Sequence, residues 1–132
     1  MNITLTGKAI EKAGYSIYAI VLNKKCPAHD YIETLDDKDR SQILALFQLI
    51  FTKGPPKNKM KFKSLGNQIY ELKTPRRVRI LCFFADSRHP RSLILTQGFF
   101  KPPKRKLKRE INKALNFHKE YLAQKTINII SL

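Results

Sequence analysis

Apolar and polar positions repeat along this chain with two different periods, and the changes of period mark its elements. Tyr15–Leu22 is β-branched and aromatic and apolar on both faces, as a strand covered on each side should be. Cys26-Pro27 breaks it. From Asp36 or Asp37 to about Thr52 the spacing becomes helical. Ile43, Leu46, Phe47, Ile50 and Phe51 recur at three and four residues, which predicts one core-facing stripe behind an aspartate cap. Gly54-Pro55-Pro56 ends that helix.

The middle of the chain returns to period two. Phe62–Lys73 kinks at Leu65-Gly66-Asn67, then sets Ile69, Glu71 and Lys73 against Tyr70 and Leu72. Val78–Ala85 and Leu93–Phe99 follow across short turns at Pro75 and Asp86–Pro90, so antiparallel hairpins are predicted. After Lys101-Pro102-Pro103 a last helix runs from Lys104 to about Gln124. Leu107, Ile111, Ala114, Leu115, His118 and Leu122 share one of its faces. The order β-α-β-β-β-α predicts an α+β fold: a curved, mainly antiparallel sheet with helices packed on one face. Outside that order, Met1–Gly14 reads as a loose arm or a short extra helix. Thr126–Leu132 suits an edge strand on the chain's own sheet better than contact with a partner or second copy. A length of 132 residues fits one domain over 1–132.

Charge changes the picture. Lys and Arg number 26 against 10 Asp and Glu, a net charge of +16. Between Lys53 and Arg109 there are 17 basic residues and only two acids, Glu71 and Asp86, so this stretch carries +15 of the total. The acids crowd instead into Asp30–Asp39. Three basic runs (Lys57–Lys63, Lys73–Arg79 and Lys101–Arg109) are separated by strands that a sheet would bring together, and a surface so built faces a polyanion.

Several classes are excluded or disfavoured. The longest apolar stretches, Ser16–Leu22 and Ile43–Phe51, fall far short of the roughly 20 residues that span a bilayer, so no membrane role is expected. Met1–Ile10 lacks the charged start and apolar core of a signal peptide. Cys26 and Cys82 form no CxxC, which speaks against a disulfide scaffold or zinc site and fits a reducing cytoplasm. GxGxxG, GxxxxGK[ST] and HExxH are absent. His29, His89 and His118 lack metal-ligand spacing and are expected to be structural or solvated; no cofactor or metal is implied. A basic sheet can hold RNA phosphates, and it can cut RNA, because the substrate's 2′-OH supplies the nucleophile and guanidinium and ammonium groups stabilise charge growing on the phosphoryl oxygens. The residues by themselves leave those two alternatives open.

A set of ordered motifs then carries a resemblance. Leu65-Gly66 with Ile69-Tyr70-Glu71-Leu72-Lys73, Arg79-Ile80-Leu81 with Phe83-Phe84, and Leu93-Ile94-Leu95 through Gly98-Phe99-Phe100-Lys101 stand in order, followed by Glu110, Ala114 and Tyr121. This resembles the RelE/ParE toxin superfamily, most closely its phage-derived HigB-like branch. The resemblance implies a RelE-like fold and the toxin of a type II toxin–antitoxin module. It further implies a metal-independent endoribonuclease that cuts mRNA on the ribosome by 2′-OH attack on the adjacent phosphate. Arg79 would stabilise the pentacoordinate phosphate, with Lys73 beside it and Lys101 arriving from the end of the last sheet strand. Lys61, Lys63, Arg76, Arg77, Lys104 and Arg105 would hold mRNA or rRNA. A cognate antitoxin, commonly of helix-turn-helix type, would be the protein partner in an oligomeric complex, with an acidic segment laid across Lys73–Arg79. The chain departs from the pattern twice. Glu71 stands, as in the HigB-like branch, where some RelE proteins place a basic residue, and is expected to be structural and paired with an arginine; Lys101-Pro102-Pro103 displaces the second cation to Lys104. The alternatives are a non-catalytic RNA-binding module of this fold and a ParE-like inhibitor of DNA gyrase.

Overall fold

Each strand of the predicted hairpins forms, and all of them join one mixed sheet. The computed structural model describes residues 4–8, 14–102, 104–125 and 128–130. In chain order the elements are β1 (Thr4–Lys8), β2 (Ser16–Val21), α1 (Pro27–Glu33), α2 (Asp37–Lys53), β3 (Phe62–Ser64), β4 (Tyr70–Lys73), β5 (Val78–Phe84), β6 (Ser92–Phe100), α3 (Lys104–Ala123) and β7 (Asn128–Ile130). The strands lie in the order β3-β4-β5-β6-β2-β1-β7. Pairing is antiparallel through β3–β6 and between β1 and β2, but parallel between β2 and β6 and between β1 and β7.

Local chemistry accounts for the ends of α2. Asp36 accepts a hydrogen bond from the Asp39 amide at 2.8 Å, one of the donors that a helix start leaves over. Gly54 closes the helix at φ 81°, a conformation that glycine adopts without strain. The kink expected at Leu65-Gly66-Asn67 divides β3 from β4, with Gly66 and Asn67 both at positive φ.

Four expectations need correction. Helices were expected on one face of the sheet; they lie on both. Helices α1 and α2 cover the side bearing Ile17, Leu72, Val78, Ile80 and Leu93, while Tyr18, Ile69, Leu81, Phe83 and Ile94 face α3. Beyond Cys26-Pro27, which does follow the end of the strand, the expected order has no helix before Asp36; α1 starts at Pro27, since proline fits the first helical position, where its missing N–H costs nothing. Residues 4–8 form a strand, neither a loose arm nor a helix, and the remainder of the arm at 1–3 and 9–13 lies outside the described residues. The stripe on α3 is rotated from the expected one. Tyr121 is fully buried with Ala114 and His118, whereas Leu122 is 53% exposed. The strand expected in Thr126–Leu132 is present over Asn128–Ile130 and pairs with β1 at the sheet edge.

One irregularity shapes the functional end. A register shift between Ile80 and Cys82 sets two residues of β6, Thr96 and Gln97, against Leu81 alone, one residue more than β5 supplies. Bulges of this kind increase local twist and re-aim the strand residues beyond them. The Thr96 hydroxyl donates to the Leu81 carbonyl at 2.9 Å, and Gln97 donates to the Glu110 carbonyl on α3 at 2.7 Å. The end of β6 is thereby fixed against the first turns of α3.

Candidate nucleic-acid interface

Strand register assembles the predicted cations. Lys73 lies directly opposite Arg79, and Arg79 directly opposite Phe99. The Lys73 amide donates to the Lys61 carbonyl at 2.9 Å, adding Lys61 to the same row. The Lys101 amide donates to the Arg77 carbonyl at 2.8 Å, which starts the next row. Side chains alternate along a strand, so Lys61, Lys73, Arg79 and Phe99 share the face that α3 covers farther along the sheet. Lys63 stands opposite Glu71 and extends the same face by one row. Lys104 and Arg105, both exposed, open α3 just beyond Lys101. Folding thus gathers three distant basic runs at one end of one sheet.

The members of the group differ in what already holds them. Arg79 is only 7% exposed, and its Nη1 donates to the carbonyls of Val78 at 2.9 Å and Thr74 at 3.2 Å. It staples the β4–β5 turn while remaining a cation with no carboxylate partner among the described residues. Arg76 is spoken for. Its Nε lies 3.1 Å from Asp39 and its Nη2 3.5 Å from Asp36. The contact with Asp39 is close in distance but not aligned as a hydrogen bond. Arg77 lies over the Phe100 ring at 5.6 Å. Lys61, Lys63 and Lys101 are exposed, and Lys73 is half-buried.

Glu71 does not have its expected arginine partner. It is 6% exposed and forms no ion pair among the described residues. Its strand position puts this carboxylate on the face that carries Lys73 and Arg79, one row away.

Tyr31 is the residue that sequence reasoning missed. From α1 its hydroxyl donates to the Phe99 carbonyl at 2.9 Å, and its ring packs edge-on against Phe100 at 5.5 Å. Burial, partly offset by the Arg79 amide, pushes its hydroxyl up to about 12, so it remains a donor at neutral pH. Gly98 makes this approach possible, because a Cβ there would come within 2.0 Å of the Tyr31 ring. The signal available in the sequence was Gly98 within a strand, a usual mark of close approach by another group.

Other chemistry is sparse. His118 is buried against Phe83 and His89 stands beside Tyr18; burial lowers the affinity of both imidazoles for a proton. Cys26 and Cys82 are free thiols. Among the described residues no group of His, Cys, Asp or Glu could hold a metal ion, and no helix is long and apolar enough to cross a membrane.

A family model described as phage-derived protein Gp49-like (DUF891) matches residues 30–119, more than half of the chain. The chain belongs to the phage-derived Gp49-like family. Gp49-like proteins are RelE-like and are associated with toxins of toxin–antitoxin modules, so membership implies an antitoxin partner. The matched Gp49-like segment contains every candidate cation from Lys61 to Arg105, together with Glu71 and Tyr31. No curated protein and no solved structure matches the chain.

Proposed function

We propose that this Gp49-like protein is a cytoplasmic, HigB-like toxin that cuts mRNA on the ribosome. The observation that carries this reading is the row Lys61–Lys73–Arg79, with Lys101 in the next row, on one sheet face beside the exposed cations of α3. Exposed Lys and Arg bind the sugar–phosphate chain without reading its sequence, and the ribosome would present the codon. At the scissile phosphate the 2′ oxygen attacks phosphorus and the bond to the 5′ oxygen breaks, leaving a 2′,3′-cyclic phosphate. Arg79, held rigidly by two carbonyls, and Lys73 meet the charge that grows on the phosphoryl oxygens. Such preorganised donors are each worth about 10²–10³-fold. Glu71 is the carboxylate on that face and the candidate acceptor of the 2′ proton, a role typically worth about 10²–10⁴-fold. Lys101 is the candidate donor to the leaving 5′ oxygen.

The test is cleavage of a ribosome-bound message by the purified chain. Lys73→Ala and Lys101→Ala are expected to lower the single-turnover rate with fold retained; unaltered rates in both would remove the assignment.

A second reading has an observation of its own. Arg79 is nearly enclosed and already donates to two carbonyls, as expected of a cation whose work is structural. In that case the surface binds RNA without cutting it. Salt-sensitive RNA binding with message left intact would favour this module.

A further inference from the structure

A groove of about 240 Å³ runs between α2 and the β3–β4 edge, lined by Gln42, Ala45, Leu46, Leu49, Lys61, Lys73, Thr74 and Pro75. We propose that it is the docking site for an acidic, amphipathic segment of a protein partner. The proposal rests on the toxin reading, in which that partner is the antitoxin.

Four observations define the occupant. The floor is apolar, made by Ala45, Leu46, Leu49 and Pro75. Its volume is below the roughly 300–1,000 Å³ of small-molecule pockets, so it suits one or two anchoring aliphatic side chains rather than a cofactor. Cations surround it. Lys61 and Lys73 border the strand side, and helical spacing puts Lys38 and Lys53 at the two ends of the α2 stripe Gln42–Leu46–Leu49. Two acids at the start of α2 are already engaged, since Asp36 and Asp39 face Arg76. Finally, two of the lining residues, Gln42 and Thr74, each hold a buried side-chain oxygen with no hydrogen-bond partner among the described residues, and Thr74 as a whole is only 4% exposed. Buried polar atoms are nearly always satisfied, so an acceptor and a hydroxyl left over in one groove call for a ligand that brings both donors and acceptors. A polypeptide backbone brings both.

RNA fits less well. Its phosphates gain nothing from an aliphatic floor, and no aromatic side chain lines the groove for a base to stack on. Because Lys61 and Lys73 belong both to the groove and to the basic row, an acidic occupant would neutralise two cations of the row and weaken its hold on RNA. One segment could then both bind and silence.

The test uses the full chain and two labelled probes: a synthetic helical peptide with leucines along one face and glutamates along the other, and an oligouridylate of equal net charge. Ala45→Trp fills the groove from an exposed position. Ala45→Glu adds a repelling charge there with a good helix former, so the test survives if the indole disturbs packing. Either variant is expected to weaken peptide binding about tenfold or more while oligouridylate binding stays within about twofold. Undiminished peptide binding in both variants overturns the proposal, as does absence of peptide binding by the parent chain. Equal loss of oligouridylate binding overturns it too, by making the groove an RNA site. The readout is independent of toxicity. Peptide binding through the groove by a chain that neither arrests growth nor cuts mRNA would uphold the docking site and remove the toxin reading alone.

Discussion

Strand β5 ends in two kinds of charge. Beyond its C-terminal end the charges answer one another. Arg88 lies 2.8 Å from Asp86, donates to the Tyr121 carbonyl at 3.1 Å and to that of Gln124, and lies over the Tyr121 ring at 4.7 Å. The Tyr121 hydroxyl donates to Asp86 at 3.0 Å and meets His89 Nδ1 at 3.0 Å. At the N-terminal end Arg79, Lys73 and Lys101 have no carboxylate partner among the described residues, and Arg76 alone is matched by acids. A cation balanced inside the chain fastens the last helix to the sheet. A group of cations left unbalanced at one edge raises the local potential and awaits an anion from elsewhere.

If the two ends differ in this way, changes at each should be felt by different measurements. The largest effect on stability is expected beneath the basic row. Gly98→Ala should cost about 2–3 kcal/mol by driving a methyl into the Tyr31 ring, read as the shift in urea midpoint. In a Tyr31→Ala background the same change should cost far less, and equal costs in both backgrounds would show that the ring is not the obstacle. At the balanced end, Tyr121→Phe should cost about 1–3 kcal/mol by leaving Asp86 and His89 without the hydroxyl. RNA affinity should not change. Loss of RNA binding in that variant would erase the distinction between the ends.

Acid sharpens the same contrast. The hydrogen bond from Arg88 holds Asp86 down to about 2, from an ordinary value of 3.8. A carboxylate lowered on folding stabilises above its unfolded value and loses that contribution as pH falls through the folded one. Stability should therefore decline between about pH 4 and pH 2, and Asp86→Asn should flatten that part of the profile. The smallest effect belongs to the exposed cations. Removing Lys104 or Arg105 should each lessen the log–log salt slope of RNA binding by about 0.7–0.9, with melting unchanged.

Legibility in the sequence followed the range of the interaction concerned. Helix α2 and its Asp36 cap, the hairpin strands and the extent of α3 are set by residues three or four apart or two apart, so they could be read directly. Parallel pairing of β2 with β6 joins segments 76 positions apart (Ser16 with Ser92), and no local pattern announces it. The same limit hid the second covered face. Tyr18 and Ile20 alternate with Ile17 and Ala19, and both sets being apolar already meant two covered faces, but not which helix lay on which. For the site, charge position pointed to Lys73, Arg79 and Lys101 as neighbours, and strand register brings them to one end of the sheet. The acids at Asp30–Asp39 gave no sign that two of them would claim Arg76. Nor could spacing reveal that Arg79 would be enclosed, since its partners are main-chain carbonyls, which every sequence supplies.

The proposed cleavage of RNA by the unbalanced row rests on Arg79 at the phosphate. Its most direct test is mapping of mRNA 5′ ends after brief induction of the parent chain and of Arg79→Ala, with urea unfolding of both purified proteins as the control for fold. New in-frame ends on translated messages are expected with the parent chain, and loss of those ends by about 10²-fold or more with a folded Arg79→Ala. The same ends at undiminished frequency with Arg79→Ala, or none with the parent chain, would contradict it.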